Sequence, residues 1–177
     1  MRPNYTEGSR QGIGKMNQDT FDSLPLFEGL DSKHLTLLAK QFDSETFGEG
    51  VVIFEQDAPA ERLYFLVTGR VAIRFKPPDG EMIPVSEIEE GSVFGWSAAL
   101  GRKSYTSCAV SVKPSMTISI KGEDLAMLCE KYPDAGVVIL ERLADVIAQR
   151  LQNTHEHVVK ILREGVTPQA HRGHAGK

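Results

Sequence analysis

Disulfide chemistry has almost nothing to work with in this chain. Two cysteines, Cys108 and Cys129, occur among 177 residues, in different predicted elements and without metal or redox spacing. A disulfide framework is excluded, and a reduced, cytoplasmic protein is expected. No run approaches the roughly 18 consecutive apolar residues that a membrane helix needs, so no membrane association is expected. Met1 to Lys15 lack the apolar stretch of a secretory signal. A basic excess is missing too: 20 Lys and Arg stand against 24 Asp and Glu, a net charge of −4. No overall field therefore draws the chain to nucleic acid. Aromatic residues are scarce at 7%, with Trp96 the only tryptophan, so the places where they cluster carry information.

What is present is an ordinary globular composition, 41% hydrophobic and 25% charged, in a length that suits one domain with tails. Residues 1–18 mix Gly, Asn, Ser, Arg and Gln without apolar periodicity and are read as a disordered arm. Phe21, Leu24, Leu26, Phe27 and Leu30, broken by Pro25 and Gly29, predict short helical turns. Asp31 is placed to cap a helix whose buried stripe is Leu35, Leu37, Leu38 and Phe42.

Beyond Phe42 the period changes. Val51–Phe54, Leu63–Val67, Val71–Phe75 and Met116–Ile120 are short β-branched or aromatic runs, punctuated by Gly, Pro or Asp. That spacing predicts an all-β sandwich or barrel. Arg70 to Phe75 alternates like a half-buried strand, and Pro77-Pro78-Asp79-Gly80 reads as a tight turn. Helix returns near Gly122 with Leu125, Met127, Leu128 and Cys129. A second, longer helix is predicted over 133–164. Its seam is Leu140, Leu143, Ile147, Leu151, Thr154, Val158 and Ile161, widened by Val146, Val159 and Leu162. Residues 165–177 close the chain as a disordered tail, and residues 19–132 form the β domain.

Gly50-x-x-Ile53-Phe54, Tyr64-Phe65, Gly69 and Gly91-x-x-Phe94-Gly95 together resemble the cyclic nucleotide-binding domain family of catabolite-activator-type regulators, kinase regulatory subunits and gated channels. The resemblance spans about residues 24–163. It implies a mainly β fold with flanking helices, a jelly-roll-like antiparallel β-barrel followed by a long C-terminal helix. One glycine of the family pattern is Asp57 here, a residue type that tolerates a left-handed backbone. The resemblance also implies an effector cassette of strand, short helix and strand. A Glu just after Phe-Gly would hold the ribose, and an Arg about nine or ten residues later would hold the cyclic phosphate.

The matching segment keeps the frame and changes those two groups. Trp96 stands at the Glu position and Tyr105 at the Arg position. Losing a buried Arg–phosphate pair costs about 3–5 kcal/mol, so high-affinity cAMP or cGMP binding is not expected. Arg102 and Lys103 are the substitute cations on offer, in a loop that suggests solvation. The effector-binding candidates are Phe94, Gly95, Trp96, Ser97, Ala98, Ala99, Tyr105, Thr106 and Ser107. Trp96 either lines an altered pocket or plugs it. Tyr105 offers its hydroxyl to a ligand or to a backbone carbonyl.

An enzyme is not expected. A metal oxygenase or isomerase on such a barrel needs His-x-His on strands. Here His34 and the pair His155 and His157 fall on helices, and His171 and His174 in the tail. No Ser/His/Asp set, paired carboxylates or phosphate loop occurs. Neither a metal nor a resident cofactor is expected, only a possible small-molecule effector. Cys108 is expected to be buried and unreactive.

Three functions remain. The first is a stand-alone sensor module with a non-standard effector or a lost one. The second is a ligand-free dimeric interaction or scaffold subunit. The third is a cAMP- or cGMP-binding protein or a truncated transcriptional regulator. The long helix is expected to pair two copies in parallel, as the resemblance implies. A protein partner is possible, and direct DNA contact is not expected.

Overall fold

The computed structural model describes residues 10–14, 24 and 27–165, with the backbone alone at 10–14, 34, 37, 150 and 153–165. In chain order the elements are β1 (Arg10–Gly14), α1 (Ser32–Ala39), β2 (Asp43–Phe47), β3 (Val52–Phe54), β4 (Arg62–Phe75), β5 (Ile83–Ile88), β6 (Val93–Phe94), β7 (Cys108–Lys121), α2 (Gly122–Lys131) and α3 (Pro133–Gly165). Asp31 caps α1 as its sequence position suggests: its Oδ1 accepts from Lys33 N–H at 2.8 Å.

The strands form one antiparallel sheet ordered β1-β2-β7-β4-β5, with β3 added to β7 and β6 to β4. The sheet rolls up without closing, so the expected barrel is an open jelly roll. Two 14-residue strands, β4 and β7, are its spine and pair from Arg62↔Lys121 to Arg74↔Cys108. Their register slips between Leu66 and Val71, where the pair bends. Pro114 brings no N–H to this bend, and the Ser115 hydroxyl accepts from Arg70 N–H at 3.2 Å.

Both faces of the spine are covered. Leu63 and Phe65 of β4 and Ile118 and Ile120 of β7 face the helices, in a core with Phe27, Leu38, Leu125, Leu128, Ile139 and Leu143. Tyr64 and Leu66 point into the roll with Phe47, Ile53, Phe94 and Tyr105. This double burial is why Leu63–Val67 reads as an unbroken apolar run rather than an alternation. Phe27, Phe42 and Phe65 lock the helical side, with ring centroids 5.4–5.6 Å apart.

Three expectations change. Residues 10–14, inside the stretch read as a disordered arm, pair with β2 through Arg10↔Phe47 and Gln11↔Thr46. Backbone pairing needs no apolar periodicity, so composition hid it. Phe75 is exposed rather than half-buried, because β5, its partner, is the outer strand of the sheet. The seam of the long helix divides in two. Leu143 is buried against the domain beside Ile139, which lies outside the expected seam, whereas Leu140 and Leu151 are 49% and 66% exposed, as is Val137 one turn before them at 55%. At 3.6 residues per turn Leu140 and Leu143 lie about 60° apart, enough to part them. Thr154, Val158, Val159, Ile161 and Leu162 lie where only the backbone is described, and Phe21, Leu26 and the tail lie outside the described residues.

Asp57 is the only described non-glycine residue with positive φ, at 65°. Asp57→Gly removes the Cβ strain but loosens the unfolded chain, for a net gain of up to about 1 kcal/mol, and Asp57→Val loses about 1–2 kcal/mol. Urea unfolding midpoints should rank Gly above Asp above Val.

Candidate functional site

After β6 the chain does not form the expected short helix. It makes successive turns: Ala98 N–H bonds Gly95 O at 3.2 Å, Leu100 N–H bonds Trp96 O at 3.0 Å, and Arg102 N–H bonds Ser97 O at 2.9 Å. So few aligned peptides build little dipole, so the backbone alone is a weak anion holder here. Gly122, the first residue of α2, seats these turns. A Cβ there would lie 2.3 Å from Ala98 O, so only glycine lets β7 and α2 run this close beneath.

Tyr105 anchors the other side of the segment. Its hydroxyl donates to Arg62 O at 2.7 Å and accepts from Arg62 N–H at 3.0 Å. Its backbone N–H donates to Ala58 O at 3.0 Å, and its carbonyl accepts from Asp57 N–H at 2.9 Å. The ring stacks on Phe54 at 3.8 Å and 16°. Phe54, Tyr64 and Phe94 extend that stack, with Tyr64 and Phe94 5.2 Å apart. Tyr105 is thus a strut between the loop before β4 and the segment before β7. Its hydroxyl serves the backbone.

The Arg62 side chain turns elsewhere. Its guanidinium pairs with Asp43 at 2.7 Å and donates to Ser119 Oγ at 2.8 Å, tying β4 to β2 and β7.

Between these parts lies a cavity of about 410 Å³, within the range of small-molecule sites. Its wall holds seven of the nine candidates: Phe94, Gly95, Trp96, Ser97, Tyr105, Thr106 and Ser107. Ala98 and Ala99 are not in it. Ala98 is buried under the turn beside Gly122, and Ala99 packs on the helical core. Alternation around a tight turn sends successive residues to opposite sides, which a contiguous sequence match does not resolve. Trp96 contributes to the wall while resting on the helical core, and the space beside it is open.

The rest of the wall was not among the effector-site candidates read from sequence: Phe54, Ile73, Val85, Ser86, Glu87 and Leu151. Ile73 and Ser86 face each other across the β4–β5 pair, a register that strand alternation could have suggested. Leu151 belongs to α3, so the long helix reaches the cavity. Among the described lining residues Glu87 is the one charged group, and none is a cation. Arg102 and Lys103 are exposed and stand outside the wall.

Burial, the largest cause in each case, raises the Tyr105 phenol and the Cys108 and Cys129 thiols above their ordinary values of 10.0 and 9.0. The folded state holds these protons more tightly than the unfolded chain. Their contribution to stability is therefore complete below about pH 9 and is lost as pH rises through the raised values. The urea midpoint should fall as pH rises above about 9, and Cys108→Ala should flatten that fall. Cys108 should also resist thiol reagents at pH 8 in the folded protein. Among the described residues no group of three His, Cys, Asp or Glu is placed to hold a metal. His155 and His157 lie where only the backbone is described. No described helix is long and apolar enough to cross a membrane.

Comparison with known proteins bears on this site. The family model "Cyclic nucleotide-binding domain" matches residues 44–132. A CRP-like cAMP-activated global transcriptional regulator of Mycobacterium tuberculosis is 25% identical over 137 residues, 77% of this chain and 59% of that one. A global nitrogen regulator of Synechocystis is 35% identical over 107 residues, 59% of this chain and 48% of the other. The chain thus spans about half the length of these relatives. A putative cyclic nucleotide-binding protein from Geobacter metallireducens is similar in structure with a TM-score of 0.67 and 25% identity, covering 77% of this chain and 98% of that one.

Proposed function

Since the chain belongs to the cyclic nucleotide-binding domain family, we propose that it is a regulatory sensor module whose cavity takes a small effector other than an anionic cyclic nucleotide. The observation that carries this is the wall of the cavity. Where the resemblance implies a ribose acceptor and a phosphate cation, the wall has the Trp96 and Tyr105 rings, and the Tyr105 hydroxyl is spent on Arg62. A cyclic diester would be desolvated there against no described cation in the wall. That combination is costly.

The cavity is walled by both the cassette and Leu151 of α3. An effector with different affinity for two positions of the helix would bias them. The exposed stripe Val137, Leu140 and Leu151 suits a second copy of this chain. Its spacing of three and four continues in sequence through Thr154, Val158 and Ile161 along a helix about 50 Å long. The regulators it resembles support a regulatory rather than a catalytic role.

The test uses the purified chain. Native mass spectrometry should show a retained small molecule, or Trp96 fluorescence should respond to a metabolite panel, while calorimetry with cAMP and cGMP shows no tight stoichiometric uptake. Tight uptake of either overturns the proposal. Silence of Trp96 across the panel leaves the second reading, a ligand-free dimeric scaffold. The exposed α3 stripe favours that reading, and light scattering should then still give a dimer.

A further inference from the structure

Resting on the reading of this cavity as an effector site, we infer that the effector is an apolar molecule with a single uncharged hydrogen-bonding head, which enters head-first to reach the Ser97 hydroxyl and leaves its apolar end beside Leu151. The wall runs from a buried end to an open one. Phe94, Ser97 and Tyr105 are buried, whereas Thr106 and Leu151 are exposed and mark the mouth. Ser97 is 4% exposed, and its Oγ has no hydrogen-bond partner among the described residues. Among those residues Thr117 Oγ1 is the one unpartnered side-chain oxygen sealed from solvent. The Ser97 hydroxyl is therefore not sealed, and the space that Ser97 borders is the cavity. The other hydroxyl at the buried end, that of Tyr105, is held by Arg62. Ser97 thus offers one uncommitted donor and acceptor among the Phe94 and Tyr105 rings.

This polarity decides between four kinds of ligand. A wholly apolar molecule would seal the Ser97 hydroxyl without a partner and lose the hydrogen bond it has with water. A charged head would give up its hydration at the buried end for one neutral hydroxyl. A molecule polar all round would lay polar surface on Phe54, Ile73 and Leu151, where nothing answers it. Ser86, Thr106 and Ser107 are less buried than Ser97, so their hydroxyls keep water within reach and demand no ligand atom. A single uncharged head on an apolar body meets every part of the wall. The head pairs with Ser97, and the body takes the exposed side chain of Leu151 out of water.

Five probes test this on the full chain by calorimetry and thermal melting. They are 4-butylphenol, 4-ethylphenol with a shorter apolar end, butylbenzene without a head, 4-butylbenzoate with a charged head, and adenosine, polar all round. 4-Butylphenol should bind one per chain, about tenfold tighter than 4-ethylphenol, and tighter than 4-butylbenzoate or adenosine. Ser97→Ala should weaken 4-butylphenol about tenfold and leave butylbenzene unchanged, a difference between two ligands that a general loosening of the fold would not produce. The unliganded variant should melt close to the parent, because the hydroxyl has no described partner to lose. Equal weakening of 4-butylphenol and butylbenzene in Ser97→Ala, or none in either, would overturn the head contact. Equal affinities for the two phenols would overturn the apolar end, and tighter binding of 4-butylbenzoate or adenosine would overturn the ligand class. Each of those results leaves the cavity an effector site. Uptake of none of the five, with no small molecule retained in native mass spectrometry, would overturn this inference and the effector site with it, whereas a retained molecule of another class would overturn the inference alone.

Discussion

Gly69→Ala is expected to lose about 3–5 kcal/mol of folding stability. Gly69 sits at the bend of the β4–β7 spine with φ of +99°. Its absent Cβ would stand 2.4 Å from Pro114 O, 2.5 Å from Ser115 Oγ and 2.7 Å from Ser115 Cα. Two of those atoms are backbone of the facing strand, so no rotamer change relieves the overlap. The Ser115 hydroxyl is committed as well, accepting from Arg70 N–H and linking to Ser111 Oγ at 3.1 Å. Gly101→Ala is the control: it has φ of +65° but nothing within 4 Å of the added carbon. It should lose only the backbone term, about 1–2 kcal/mol. Urea unfolding of both variants separates conformation from collision. Equal losses in the two would refute the overlap argument.

Gly69 also shows what a sequence reading can and cannot reach. The motif glycines Gly50, Gly69, Gly91 and Gly95 all have positive φ, as does Asp57 at the departure from the motif. Such constraints are local, and a residue type records them. The same holds for the Asp31 cap and for the change of period that separates strands from helices. Position in space is not local. Which of Trp96 to Ala99 faces the cavity depends on how the turn rotates, and Gly122 under Ala98 fixes that rotation from 24 residues away. Ser86 enters the wall through pairing with Ile73 of β4, and Leu151 through the docking of α3. None of these has a mark in its own neighbourhood. The strand at Arg10–Gly14 is the opposite case, where backbone bonds to β2 order a segment whose side chains announce nothing.

Tyr105→Arg is the second large effect, with an expected loss of about 3–5 kcal/mol in the absence of ligand. The substitution looks like a simple return to the phosphate-binding pattern. In the fold it removes the one hydroxyl that meets both Arg62 N–H and Arg62 O, leaving two backbone groups to find other partners. It also breaks the 3.8 Å stack on Phe54 and puts a cation at a position that is 4% exposed. Tyr105→Phe should keep the stack and lose only the hydrogen bonds, about 1–3 kcal/mol. The arginine becomes useful only with an anion to hold. In the double variant Trp96→Glu, Tyr105→Arg, cAMP should therefore raise the melting temperature, by an amount that grows with its concentration as binding to the folded state alone requires. The parent chain should not respond. A folded double variant that ignores cAMP would show that Trp96 and Tyr105 do not occupy the ribose and phosphate positions.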